Sequence, residues 1–261
     1  MKITPIKFFA ILGLVTAHIF WLLKINPQVT QELIFPSWLI SNASTFVSET
    51  QSMYPPLLFY LISTVNNFTH NFLLSINLIQ LIFVIIIDSL LFFYLDKKFN
   101  LKLAIIGLTF YIPWQVFFRG NYLWFDFATI PFIVISFFYF EKFVTDLKTK
   151  NLLVASSFLA IGYFFKSTVF WIYILYFLWT IFLIYPKRKS FLNVVKDIVA
   201  LLSPLFSAII LNFLILLTNG TFAFTFYWNI VMQIFIYPRL PTLARPISAN
   251  YYSVITLLLA I

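Results

Sequence analysis

The sequence predicts an all-α, polytopic helical membrane protein with about seven or eight transmembrane helices and a long first outer loop. Three observations carry that prediction. Of the 261 residues, 62% are hydrophobic and only 10% charged, with a mean hydropathy of +0.98. Too few charges remain to clothe a soluble domain of this size, so lipid must solvate most side chains. The apolar runs are continuous, as at 81–87 and 199–217, and lack the period-two alternation of a membrane β-barrel. At ~20 apolar residues per helix, the chain holds about seven or eight spans in a single transmembrane domain, 1–261. There is no cysteine, which excludes a disulfide framework and thiolate metal sites.

The first span covers about 7–24, behind Lys2 and Lys7. It resembles a signal peptide, but no small-residue cleavage site follows, so it is read as a retained helix. A polar interval, 25–72, comes next and carries Glu32, Glu49, His70 and the box Tyr54-Pro55-Pro56-Leu57. Irregular backbone has no partner in lipid, so this interval must lie outside the hydrocarbon or line a wet cavity. Further spans are expected at about 73–95, 102–118, 127–141, 151–165, 168–185 and 198–218, each closed by charged or proline-bearing turns. A second polar loop, about 219–250, leads to an eighth apolar run at 251–261. The sequence stops inside that run, as either a short final helix or a chain cut short there.

Lys/Arg bias of the short connections sets the orientation. With the N-terminus cytoplasmic, twelve basic residues fall inside (Lys2, Lys7, Lys97, Lys98, Lys102, Lys142, Lys148, Lys150, Lys187, Arg188, Lys189 and Lys196). Five fall outside: Lys24, Arg119, Lys166, Arg239 and Arg245. The formal charge of +9 is therefore an orientation signal, and nucleic acid is not needed to explain it. Both long polar segments face outward, with Glu32, Glu49 and Asp126. Asp96, Glu141, Asp146 and Asp197 stay inside among lysines, where solvated loop charge is expected. His18, within the first span, is expected to bond between helices. Asp88, within the second, is expected to pair with a neighbouring helix or to reach the inner interface near Lys97.

Outward carboxylates and cations held on membrane helices suit chemistry on a phosphate-linked lipid. A carboxylate can take the proton of an attacking hydroxyl, and cations stabilise charge growing on a departing phosphate. The order of Gln31-Glu32-Leu33, Tyr54-Pro55-Pro56-Leu57, Tyr122-Leu123-Trp124-Phe125-Asp126 and Gly162-Tyr163-Phe164-Phe165-Lys166 resembles the GT-C superfamily. These are polytopic glycosyltransferases that use polyprenyl-phosphate-linked sugars. The nearer resemblance is to the protein-mannosyltransferase and aminoarabinose-transferase-like branch, over residues 1–185.

The resemblance implies that Glu32 is the general base, with Glu49 as the fallback; many members carry an acidic pair where this chain has Gln31-Glu32. It places Asp126 near the acceptor, or at a divalent cation (Mg or Mn) bound by the donor phosphate. A second reading of Asp126 is an acid meeting the positive end of a helix dipole. Lys166 would contact the lipid-linked phosphate, or else snorkel to the interface. Tyr54 could touch the sugar, while Pro55 and Pro56 start a helix and shape the loop. Arg119, Arg239 and Arg245 would hold the phosphate or anchor at headgroups. The expected function is inverting transfer of a sugar from a polyprenyl-phosphate donor to a glycan, lipid or protein acceptor at the extracytoplasmic face. The rival is a non-catalytic membrane protein, such as a lipid-carrier transporter or an assembly partner.

Overall fold

The structure, a computed structural model, describes residues 4–25, 31–42, 57–117, 123–187 and 190–218. Every regular element among them is helical: α1 (Pro5–Ile25), α2 (Gln31–Ser41), α3 (Leu57–Thr69), α4 (Phe72–Lys98), α5 (Leu101–Phe117), α6 (Phe125–Asp146) and α7 (Thr149–Tyr163). A rod at Ser167–Lys187 follows, in which α8 (Phe170–Trp179) runs between a 3-10 turn and a π turn, and α9 (Phe191–Thr218) closes the described chain. Packing divides the protein into two units, residues 1–46 with 54–211 and residues 47–53 with 212–261. Of the second, only 212–218, the end of α9, is described.

Five of these helices are long and apolar enough to cross a bilayer: Pro5–Lys24, Phe72–Lys98, Phe125–Asp146, Ser167–Lys187 and Phe191–Leu214. The protein is an all-α polytopic membrane protein. Between these five, α5 and α7 are shorter; α7 has 15 residues, about 22 Å. The expected eighth span at 251–261 lies outside the described residues. Helix α6 runs to Asp146, five residues past its expected end, because an apolar face including buried Phe143 continues through the charged turn.

The interval read as a long polar loop is a correction. It holds two helices, α2 and α3, both with apolar faces. Leu58, Phe59 and Ile62 are buried on α3 while Tyr60, Thr64 and Asn67 are exposed. The polar residues of α3 occupy one face of an amphipathic helix rather than a loop. The Ser41 and Ser63 hydroxyls, 2.8 Å apart, tie α2 to α3. His70, in the left-handed region at φ 51°, turns the chain into α4, whose first turn is capped by Asn71 accepting from the Leu74 N–H at 3.0 Å.

Two hydrophobic clusters stand out among the described residues. In the first, Phe92 of α4 packs with Ala104, Leu108 and Ile112 of α5, against Ile11 and Leu14 of α1. Gly107 lets α4 and α5 approach closely, since a Cβ there would lie 2.9 Å from Leu95 Cδ1; small residues at helix contacts are the membrane solution to close packing. The second joins α6, α7, α8 and α9. Its centre is Phe140 stacked on Tyr176 with centroids 3.8 Å apart. The Tyr173 hydroxyl donates to the Ser156 carbonyl at 2.5 Å, and the Ser156 hydroxyl to the Leu201 carbonyl. These bonds link three helices without asking water for partners.

The helices alternate in direction, which gathers residues distant in sequence at two ends. One end carries the start of α6 and the end of α7. The other carries the ends of α4 and α6 and the starts of α1, α5, α7 and α9. This alternation groups Lys7, Lys98 and Glu141 at one end and Asp126 and Lys166 at the other.

Candidate functional site

Asp126 lies in the first turn of α6, where a carboxylate meets the positive end of the helix dipole. Trp124 precedes the helix in extended backbone, and the Thr129 hydroxyl donates to the Asp126 carbonyl at 2.7 Å. Lys166 lies where α7 stops. Its N–H and that of Phe165 both donate to the Gly162 carbonyl at 3.0 Å, after which Lys166 turns extended (φ −153°) and starts the next 3-10 turn. These two helix ends bring together side chains 40 residues apart: the Lys166 ammonium donates to Asp126 Oδ1.

The pair is unequal. The Lys166 side chain is 19% exposed and that of Asp126 66%, so the cation is largely covered while its carboxylate faces outward. Aromatic rings form the wall. Phe165 is buried against Phe132 and Phe83, at 5.3 and 6.2 Å, and Phe125 against Phe59 and Trp124, at 5.2 and 5.1 Å. Such walls lower the local dielectric and strengthen whatever charge the ammonium meets. A phosphate oxygen reaching Lys166 would replace a carboxylate already turned to solvent.

The structure thus joins two of the expected site residues. It places Glu32 in the first turn of α2, the helix packed on α3, which in turn contacts the start of α6 through Phe59 and Phe125. The Glu32 side chain lies outside the described residues, as do Glu49, Tyr54, Arg119, Arg239 and Arg245. Among the described residues no three His, Asp or Glu side chains converge, and Asp126 is engaged by Lys166.

The acids at the opposite end correct an expectation. The sequence predicts solvated loop charges, yet the Asp96 side chain is 5% exposed and accepts from Lys7 at 2.5 Å. Asp197 is fully buried and accepts from the Thr149 hydroxyl at 2.5 Å. Glu141 accepts from Lys98 and, at 3.2 Å, from Tyr94. Each sits within a helix end that faces another helix, so protein replaces water as its partner. Asp146, by contrast, caps a turn by accepting from the Lys148 N–H at 2.9 Å. His18 does bond between helices: its Nδ1 lies 2.8 Å from Asp88 Oδ2, with both side chains buried.

The family profile described as dolichyl-phosphate-mannose-protein mannosyltransferase matches residues 53–211. The chain belongs to that family. Comparison with curated proteins and with solved structures returned no match. Dolichyl-phosphate-mannose-protein mannosyltransferases are GT-C-type membrane enzymes that use polyprenyl-phosphate-linked sugars, so this protein is an integral membrane glycosyltransferase. The mannosyltransferase match takes in the Tyr54-Pro55-Pro56-Leu57 box, Arg119, Asp126 and Lys166. It leaves out Glu32, Glu49, Arg239 and Arg245.

Proposed function

We propose that the protein moves a sugar, with inversion, from a polyprenyl-phosphate donor to an acceptor hydroxyl at the extracytoplasmic face, as a member of the protein-mannosyltransferase and aminoarabinose-transferase-like branch. The observation that carries this reading is the Asp126–Lys166 pair, built from two helix ends inside the family-matched segment. The acceptor oxygen attacks the anomeric carbon, and the bond from that carbon to the phosphate oxygen breaks, its electron pair leaving with the lipid phosphate. Lys166 meets the negative charge that grows there, an interaction whose loss typically costs about 10²–10³ in rate. Asp126 holds the ammonium in place before the donor arrives and turns its open oxygen toward the acceptor. Glu32 takes the acceptor proton. Arg119, Arg239 and Arg245 add to the phosphate's surroundings, and Tyr54 to the sugar's. The acceptor is a glycan, lipid or protein hydroxyl.

The test is transfer of label from a radiolabelled polyprenyl-phosphate hexose to the water-soluble or protein fraction of membranes containing the full chain. Wild type is expected to transfer, and Lys166→Gln and Glu32→Gln to lose transfer at equal protein level. Wild-type rates in Glu32→Gln would pass the base role to Glu49. Wild-type rates in Lys166→Gln would remove the ion pair from the mechanism.

One observation speaks for the transporter rival. The buried His18–Asp88 pair lies inside two spans, and intramembrane ionisable residues often mark a pathway. Transport sites, however, sit on broken helices, and α1 and α4 run unbroken past both residues. The pair is a tie between α1 and α4.

A further inference from the structure

A second charged constellation lies at the other end of the bundle, remote from Asp126 and Lys166. The last turn of α4 carries Lys97 and Lys98, and α6 beside it carries Phe138, Glu141 and Lys142. Between them is a cavity of about 200 Å³, also lined by Tyr94. Glu141 accepts from Lys98 and from the Tyr94 hydroxyl, so the pocket's carboxylate is engaged on both oxygens. Lys97 and Lys142 each place an ammonium 4.5 Å from the centroid of the same Phe138 ring, and Lys142 also lies 4.8 Å from that of Tyr139. Ring faces attract cations, but they do not neutralise them. The pocket therefore gathers three ammonium groups around one carboxylate and holds two positive charges in excess.

We propose that this pocket binds the phosphate headgroup of an anionic phospholipid. Two features favour a lipid over a soluble anion. The pocket lies at the ends of two membrane-crossing helices, Phe72–Lys98 and Phe125–Asp146, which is the depth at which headgroups lie, and basic pockets between such helices are suited to them. Beside it, Phe137 is 48% exposed and packs edge-on against the pocket's Tyr94 at 6.1 Å, an apolar surface open to acyl chains. The cavity is also below the ~300–1,000 Å³ that encloses a drug-sized ligand. It has room for a phosphodiester and part of its glycerol. By the charge bias of the helix connections this end faces the cytoplasm, so the lipid belongs to the leaflet opposite the proposed transfer site. The inference does not depend on the transferase mechanism.

The test uses the full chain purified in a neutral detergent. Native mass spectrometry would count bound lipid after addition of phosphatidylglycerol or phosphatidylcholine, for wild type, Lys97→Gln/Lys142→Gln, and Lys102→Gln/Lys148→Gln as a control at the same end. One phosphatidylglycerol is expected to stay on wild type and on the control. Its retention should fall at least tenfold in Lys97→Gln/Lys142→Gln, and phosphatidylcholine should not be retained. Glycerol 3-phosphate at the same concentration should not displace the lipid. A melting curve in detergent alone, unchanged by the double substitution, separates lost binding from lost folding; a lowered curve calls for Lys142→Gln alone, expected to weaken retention threefold or more. Equal retention of both lipids, or undiminished phosphatidylglycerol on either folded pocket variant, would overturn the proposal. Displacement by glycerol 3-phosphate would overturn the lipid assignment.

Discussion

The two ends of the bundle use carboxylates in opposite ways. At one end Asp126 stands open, 66% exposed, and covers a lysine that is itself sheltered by aromatic rings. At the other, Asp96 and Asp197 are buried, and Glu141 accepts from two partners. The buried acids tie α1 to α4, and α7 to α9; the open one joins the start of α6 to the end of α7. A carboxylate that has lost its water is committed to its partner, because breaking the contact leaves a buried charge unpaired. One that keeps its water can give up its partner at small cost. The first arrangement suits a joint and the second a site that must open to a ligand.

Substitutions at the two ends should therefore fail in different ways. The largest effect is expected from Lys166→Gln: transfer should drop by about 10²–10³, the usual cost of removing one donor from a developing oxyanion, with the unfolding midpoint little changed. At the opposite end, Asp197→Ala should lower stability by about 1–3 kcal/mol, the cost of losing a buried acceptor and leaving its part-buried donor, the Thr149 hydroxyl, without it. Its transfer rate per folded molecule should match wild type; a specific loss of rate would break the comparison. Asp126→Asn keeps the shape and removes the charge that parks the ammonium. It should slow transfer by about tenfold, or ~1.4 kcal/mol, chiefly through KM for the donor. Lys98→Gln should change stability least, by about 0–1 kcal/mol, because the Lys98 side chain is 43% exposed and its Glu141 partner 30%.

Much of this architecture is legible in the chain itself. Most of the expected spans begin and end within a few residues of observed helices, because apolar length is a local property; the exceptions are the extension to Asp146 and the last described helix, which starts at Phe191, seven residues before the expected 198. The alternation of ends is legible for the same reason, through the placement of lysines. Asp126 and Lys166 stood out as outward charges at helix ends, and the resemblance to a lipid-phosphate-using family singled them out. What escaped the reading was concealed by partners. The interval 25–72 looked like loop because α3 places Asn and Thr on one face and buries Leu58, Phe59 and Ile62 on the other. Asp96 and Asp197 looked solvated because their neighbours in sequence are lysines, whereas their neighbours in space are other helices. The pocket above Phe138 needs Lys97 and Lys142 to share one ring, and they lie on different helices.

The sequence by itself determined that this is a membrane protein of helices, where most of those helices start and stop, and which charges share an end. These follow from hydropathy, helix length and charge, all summed along the chain. Only the tertiary structure decided that Lys166 meets Asp126, that His18 meets Asp88, and that the acids at the other end serve as joints. Those outcomes depend on which helix packs against which and at what rotation, and on the loss of water that packing imposes. No single segment carries that information.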